Sequence, residues 1–243
     1  ACFTSSPPKN NVNFINEDIN TYNIEPHIIE ADVIYFLASS VGVSHIVNNY
    51  NSTLHNNLTL ATTLIPLFEK HHKKVIFTSS SELYGNGPFR ETDQVKIEST
   101  INQRWSYAAV KLMTEVMITS STFPYVILRL FNIVGPGQVG HYGMVLPRFV
   151  ELAKCNKPLV IHGTGQQTRS FCHIKDAIEV FVALERYNNE IFNVGGFNNV
   201  TITELAEKVV NLTQSKSTIQ YADLDKIYTS NYGDIHTRAP DLT

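Results

Sequence analysis

Apolar residues in this chain gather in short unbroken runs, and amphipathic stretches separate them. The runs Asp32-Val-Ile-Tyr-Phe-Leu-Ala38, Val75-Ile-Phe-Thr78 and Tyr125-Val-Ile-Leu-Arg-Leu-Phe131 lack the alternation of a half-solvated strand, which predicts strands covered on both faces. Between them, apolar positions recur at helical spacing from Asn56 to His72 and from Tyr107 to about Ser121. Strands alternating with helices predict βαβ units and a parallel sheet. Upstream, residues 1–11 read as a loop or tail, Val12-Asn13-Phe14-Ile15 alternates like a short strand, and a helix-like stretch runs up to Glu30. Ser39 to Gly42 turns the chain.

Beyond Gly135 the elements shorten. Met144 to Asn156 reads as helix, Leu159 to His162 as strand, Gly163 to Arg169 as an exposed turn, His173 to Tyr187 as helix and Ile191 to Val194 as strand. Thr201-Ile-Thr-Glu204 offers a capping box for a helix to about Leu212. This texture predicts a smaller lobe closing over the sheet.

Candidate chemistry lies between Lys74 and Lys111. Tyr107 and Lys111 stand four apart on the predicted helix, which puts both side chains on one face, about 5–6 Å apart at Cβ. A lysine cation beside a tyrosine favours the phenolate and lowers its pKa, so Tyr107 is a candidate acid/base. Ser80 and Ser81 end the preceding strand, where ligands bind in an open α/β sheet and a hydroxyl can share a substrate proton. Taken singly, each feature has a plainer reading: Y-x-x-x-K recurs by chance, and a serine-rich strand end running into Tyr84-Gly85 is an ordinary turn. Their order, strand then helix, is what favours chemistry.

Composition narrows the function classes. A chain of 243 residues with 43% hydrophobic and 17% charged residues is ordinary for a globular protein, and a net charge of −3 carries no nucleic-acid footprint. Cys2, Cys155 and Cys172 are odd in number and far apart, which argues against a disulfide framework or a zinc site. The sequence shows no leader pattern and no run of membrane-spanning length, so a cytoplasmic protein without a membrane partner is expected.

Gly135-Pro-Gly137-Gln-Val-Gly140 has the spacing of a dinucleotide fingerprint but not its setting. Pro136 sits inside it, His141-Tyr142-Gly143 follows where a helix should open, and Lys154 to Val160 supplies no acidic residue. It reads as a loop. No glycine precedes Gly42, so no Gly-rich turn is available to seat a pyrophosphate at a helix N-terminus; a lost segment is the expectation.

Leu37-Ala38 behind a strand, Ser80-Ser81-Glu82-Leu83-Tyr84-Gly85, Tyr107-x-x-x-Lys111, Arg129-Leu-Phe-Asn132-x-x-Gly135-Pro136, Gly163-x-Gly165-x-x-x-Arg169 and Arg238-x-Pro240-Asp241 form one ordered set. Together they resemble the extended short-chain dehydrogenase/reductases of the NAD-dependent epimerase/dehydratase family, which act on nucleotide sugars. The resemblance covers most of the chain. It implies an α/β, Rossmann-like doubly wound parallel sheet whose first βαβ segment is missing. Residues 1–134, with the helix at about 173–187, would be the NAD-binding domain, and 135–243 mainly a substrate-binding lobe. Ser80-Ser81-Glu82, Arg104-Trp105-Ser106-Tyr107 and Thr168-Arg169-Ser170-Phe171-Cys172 are most similar to UDP-glucuronate decarboxylases. Family dehydratases place Asp-Glu after the catalytic hydroxyl, where this chain has Ser81-Glu82, and 4-epimerases usually carry small or hydroxyl residues where Glu82 stands.

The resemblance implies NAD as cofactor and a UDP-sugar as substrate. Tyr107 would remove the C4 hydroxyl proton, assisted by Ser80 and Lys111. The resulting 4-keto group would let CO2 leave from C6, with Glu82 and Arg169 managing the carboxylate and the proton that replaces it. Cofactor contacts would fall on Asp18, Ile19, Leu37, Ala38 and Asn57 besides Tyr107 and Lys111. Ser81, Asn132, Arg169 and Arg238 would hold the substrate, and the Tyr107 helix would join a homodimer interface. Two other functions stay open, a UDP-hexose 4-epimerase and a truncated, non-catalytic nucleotide-sugar-binding or interaction protein. For Glu82 the plainer role is a carboxylate accepting main-chain N–H bonds at a turn, and for Arg238 a solvated surface charge.

Overall fold

A computed structural model describes residues 12–41, 49–86, 89–97, 105–140, 144–223 and 235–242. The expected tail at 1–11, Gly42, the Gly87-Pro88 turn, Arg104 and His141 to Gly143 lie outside these residues. In chain order the strands are β1 (Val33–Phe36), β2 (Lys74–Ser80), β3 (Tyr125–Leu130), β4 (Ile133–Val134), β5 (Leu159–His162), β6 (Thr168–Ser170), β7 (Cys172–His173), β8 (Glu190–Val194), β9 (Asn199–Thr201), β10 (Ile219–Ala222) and β11 (Thr237–Arg238). The helices are α1 (Glu25–Glu30), α2 (Tyr50–Lys70), α3 (Ser106–Thr119), α4 (Val145–Lys154), α5 (Ile174–Leu184) and α6 (Ile202–Thr213), with a 3-10 turn η1 over Ser81–Tyr84.

The large sheet is parallel, in the order β1-β2-β3-β8. Alternation along its strands sends Val75, Phe77 and Ile127 to one face, against Leu60, Ala61, Leu64, Ile65 and Phe68 of α2 and Ile118 of α3. Ile76, Val126 and Leu128 point the other way, where Ala177 of α5 packs. Both faces of β2 are thus covered, which is why its apolar run is unbroken. The fourth strand, β8, comes from beyond position 134, where the expected boundary of the first domain falls. The parallel sheet with helices on both faces that the resemblance implies is present.

Two readings of the N-terminal part are corrected. Val12 to Ile15 is not a strand: Val12 and Phe14 are 61% and 60% exposed, and no described strand pairs with them. The Asp32 to Ala38 run is not covered on both faces either, since β1 lies at the edge of the sheet with Tyr35 37% and Leu37 52% exposed. Period and apolar content report what a strand can bury, not whether a neighbour is there to bury it.

The shorter elements pack as a second layer of structure. Phe149 and Ala153 of α4, Leu159 and Ile161 of β5, and Ile202, Leu205, Ala206 and Val209 of α6 share one core. The Thr201 and Glu204 capping box is formed, with Glu204 N donating to Thr201 Oγ1 at 3.0 Å and Thr201 N to Glu204 Oε2 at 2.8 Å. The expected exposed turn is only half right: Gly163 and Gly165 turn the chain at positive φ, but Thr168–Ser170 is β6, flanked by β11 and β9, and Ser170 is buried. A Cβ on Gly165 would strike Thr203 Oγ1, so the tight approach requires glycine there. The Gly135 to Gly140 segment is a turn and loop, with Gln138 N bonded to Gly135 O. Among the described residues no helix is long and apolar enough to cross a membrane, and Cys155 and Cys172 are free thiols, exposed and buried respectively.

Candidate active site

The site assembles where β2 ends. Ser80 closes the strand in extended backbone and caps η1, its Oγ accepting from Glu82 N at 3.2 Å. That bond uses the acceptor side of the hydroxyl and leaves the proton to be donated. Gly85 ends η1 at φ 60° and ψ −126°, a conformation that suits glycine and folds the chain sharply away. Ser81 and Glu82 are thereby buried at the strand end, 0% and 7% exposed.

Arg238 reaches both of them from β11. Its Nε donates to Ser81 Oγ at 2.7 Å and its Nη1 to Glu82 Oε1 at 3.1 Å. The plainer readings of both residues fall away: Glu82 meets a guanidinium rather than a ring of main-chain amides, and Arg238 is largely enclosed. Arg169, expected to work with Glu82, sits beside Arg238 as its register partner across β6 and β11, but it donates to Thr168 O at 2.8 Å and His236 O at 3.4 Å. Glu82 takes Arg238 as its partner. Asn132 donates from Nδ2 to Ser170 O at 2.8 Å, joining the end of β3 to β6.

Tyr107 and Lys111 share one face of α3, as their spacing predicts, but the electrostatics run against expectation. Lys111 Nζ donates to Thr78 O at 2.7 Å and lies 4.6 Å over the Phe77 ring and 5.7 Å from the centre of the Tyr107 ring. Burial pushes its pKa down to about 7, with Glu115 pulling partly back. The Tyr107 phenol is held well above its usual range, first by burial and then by the Glu82 carboxylate, against weaker help from Arg238 and a hydrogen bond with Ser39. The net shift of the phenol is thus opposite to the one a neighbouring lysine alone would give: burial and the Glu82 carboxylate outweigh it, while the Lys111 ammonium donates to the Thr78 carbonyl.

The expected cofactor residues take two settings. Leu37 and Ala38 are exposed at the carboxyl end of β1, and Asp18 lies in an exposed turn, its Oδ1 accepting from Asn20 N at 2.9 Å, with Ile19 half-buried beside it. Asn57 is buried instead and clamps Ser39 and Ser40 behind β1.

Beneath the site runs a polar network that motif spacing alone does not reveal. Arg129, the next-to-last residue of β3, makes two bonds to Glu115 on α3, Nε to Oε1 at 3.1 Å and Nη2 to Oε2 at 2.8 Å. Its Nη1 donates to Tyr84 Oη at 2.9 Å, and Tyr84 Oη donates to Asn193 Oδ1 at 2.9 Å. Asn193 in turn donates from Nδ2 to Phe89 O at 2.7 Å and from its main-chain N to Glu91 Oε1 at 2.6 Å, tying the chain after η1 to β8. The signal was present: an arginine inside an apolar strand must find a buried carboxylate, and Glu115 lies four beyond Lys111 on the same helix face.

Comparison with known proteins places these residues in context. A family model described as NAD dependent epimerase/dehydratase family matches residues 5–195. A UDP-N-acetyl-alpha-D-glucosaminuronate decarboxylase of Bacillus cytotoxicus is 36% identical over 220 residues, 87% of this chain and 68% of that protein. UDP-glucuronic acid decarboxylase 1 of Arabidopsis thaliana is 30% identical over 229 residues, 90% of this chain and 51% of that protein. The chain thus spans from about half to two thirds of these relatives. Among solved structures, the UDP-N-acetylglucosamine 4-epimerase of Methanobrevibacter ruminantium M1, in complex with UDP-N-acetylmuramic acid, is 28% identical and superposes with a TM-score of 0.81 over 94% of this chain and 74% of that one.

Proposed function

Because the chain belongs to the NAD dependent epimerase/dehydratase family, we propose that it acts on a nucleotide sugar through temporary oxidation at C4, and that the reaction is decarboxylation of UDP-glucuronate to UDP-xylose. The observation that carries the decarboxylase reading is the buried Glu82 paired with Arg238 at the same strand end as Ser80.

The residues present fit a nicotinamide cofactor at the carboxyl end of β1, where Leu37 and Ala38 leave an open apolar ledge. When bound, NAD supplies the acceptor for the hydride from C4 and later returns it. Tyr107 takes the C4 hydroxyl proton, and Ser80 donates to the same oxygen with the proton that Glu82 N leaves unused. Lys111, anchored on Thr78 O, supports the phenolate as it forms. With a ketone at C4, the C6 carboxylate is β to it, so the C5–C6 bond breaks, CO2 leaves and the electron pair moves into an enolate. A proton then adds at C5, and Tyr107 returns its own to the C4 oxygen. Arg238 is placed to hold an anionic part of the substrate, carboxylate or diphosphate, and taking it frees Glu82 within the site. Ser81 stands where dehydration would call for an acid, which favours decarboxylation over loss of water.

A second reading, a UDP-hexose 4-epimerase, is supported by the likeness to a 4-epimerase structure. The test is incubation of the full-length protein with NAD+ and UDP-glucuronate, then with UDP-N-acetylglucosaminuronate, read as CO2 release and by NMR of the sugar. Glu82→Ala should lower decarboxylation by at least about 100-fold if it handles the proton at C5. A C4 epimer as the sole product, with Glu82→Ala nearly as fast as wild type, replaces the decarboxylase by the epimerase.

The assembly we propose is a homodimer through α2 and α3. Leu58 on α2, and Met113 and Val116 one turn apart on α3, are 41%, 52% and 50% exposed, an apolar outer face that suits a second copy of the same pair.

A further inference from the structure

Hydrogen bonds from the η1 turn to the β11 segment are of two kinds. One kind falls on the Arg238 guanidinium, Nε donating to Ser81 Oγ at 2.7 Å and Nη1 to Glu82 Oε1 at 3.1 Å. The other falls on the main chain, where His236 N donates to Asn86 Oδ1 at 3.1 Å. Only the oxygen of that amide accepts, which fixes the orientation of the Asn86 side chain. Gly85, at φ 60°, folds the chain after η1 and brings Asn86 to the segment that carries Arg238.

The geometry points to Asn86 as a positioning residue for Arg238: it keeps the β11 main chain docked while the guanidinium leaves Glu82 for an anionic part of the substrate. The inference rests on the reading that Arg238 takes such a group. When the guanidinium turns to a phosphate or a carboxylate, its bonds to Ser81 and Glu82 are the ones exchanged. The bond to Asn86 uses no atom of the Arg238 side chain and survives the exchange. What else holds β11 comes from other directions. The strand is two residues long and pairs with β6, and Thr168 N donates to His236 O at 2.8 Å. Ile235 is fully buried against Trp105 and Ala108 at the head of α3. Asn86 therefore ties the segment to the strand end that carries Ser80, while β6 ties it to the smaller lobe. Asn86 and His236 are both exposed, so water can satisfy either group once their bond is lost. What the amide supplies is a fixed place for the strand, and its absence is felt when the guanidinium has to find its anion.

The test is isothermal titration calorimetry of the full-length protein loaded with NAD+, with UDP as the anionic probe. Asn86→Ala should weaken UDP binding about fivefold, the scale of one hydrogen bond, while affinity for NAD+ keeps its wild-type value. Asn86→Asp retains the acceptor; in about 0.5 M salt, which screens the added charge, it should bind UDP as wild type does. In an Arg238→Ala background Asn86→Ala should cause no further loss, because the residue acts through the guanidinium. With UDP-glucuronate as substrate, Asn86→Ala should raise KM and leave kcat unchanged. Equal UDP affinity in wild type and Asn86→Ala overturns the inference, as does an Asn86→Asp protein as weak as Asn86→Ala, or the same loss with and without Arg238. Full UDP affinity in Arg238→Ala overturns the reading of Arg238 as the anion holder, and the inference falls with it. Absence of turnover with every nucleotide sugar overturns the proposed reaction instead, and UDP binding still decides the role of Asn86.

Discussion

Lys111 shows how a single residue couples the fold to the chemistry. Its side chain is buried, and its pKa falls from 10.5 to about 7 on folding. As pH drops through that window, the unfolded chain takes up a proton that the folded chain refuses, so stability declines and the full loss is present below pH 7. Lys111→Met should therefore stabilise the protein at neutral and acid pH by about 1–3 kcal/mol, with the gain fading above pH 10, while removing turnover. Urea melts at a series of pH values read this directly, and a gain that does not depend on pH would show that the buried charge is not its source. At this scale the sequence was partly legible. Tyr107, Lys111, Ser80 and Glu82 are residue types whose spacing announces chemistry, and they meet at one strand end. The direction of the Tyr107 shift was not legible, because it depends on how much water the surrounding packing excludes, and i to i+4 spacing carries no information on that.

At the scale of elements, the Arg129 and Glu115 pair joins β3 to α3, and through Tyr84 and Asn193 it reaches η1 and β8. Both side chains are 5% exposed, so breaking one partner leaves a bare charge in a dry interior. Arg129→Met alone should cost about 3–5 kcal/mol, and adding Glu115→Leu should recover much of it, since an apolar pair of similar volume avoids desolvation altogether. Chemical denaturation of the two single variants and the double variant measures the coupling; additive losses would deny the pair its role. The long helices and central strands were readable from period and run length, and the capped start of α6 from its four-residue signature. The short strands β4, β7 and β11 were not, since two residues carry no period. Their pairing is dictated by what the loops bring alongside them, as with Arg238 against Arg169.

On the scale of the molecule, exposed apolar surface on the described residues includes two stretches on the large sheet and its helices. One is the outer face of α2 and α3, proposed above as the homodimer contact. Val116→Glu should convert dimer to monomer in sedimentation without changing the far-UV circular dichroism, and a wild-type protein that sediments as a monomer at micromolar concentration removes the proposal. The other is the edge at β1, where Tyr35 and Leu37 show and where α5 presents Ile178 and Val182, 52% and 57% exposed. The overall architecture was legible because alternating strands and helices admit few arrangements. The state of an edge was not, because it depends on what lies beside it.

The contact between Arg238 and Glu82 also has a history in time. It joins residues 156 positions apart, whereas β2, η1 and α3 are consecutive in the chain. A chain is synthesised from its N-terminus at about 5–20 residues per second, so Ser80, Tyr107 and Lys111 emerge and can fold together seconds before Arg238 exists. During that interval Glu82 lacks the cation that meets it in the finished fold. Closing so long a loop adds little entropy beyond closing a shorter one, but it makes the ordering of the site a late event, set by the arrival of β11. In a newborn molecule Tyr107 and Lys111 are therefore in place before Arg238 is, and Glu82 gains its guanidinium partner only when β11 has docked.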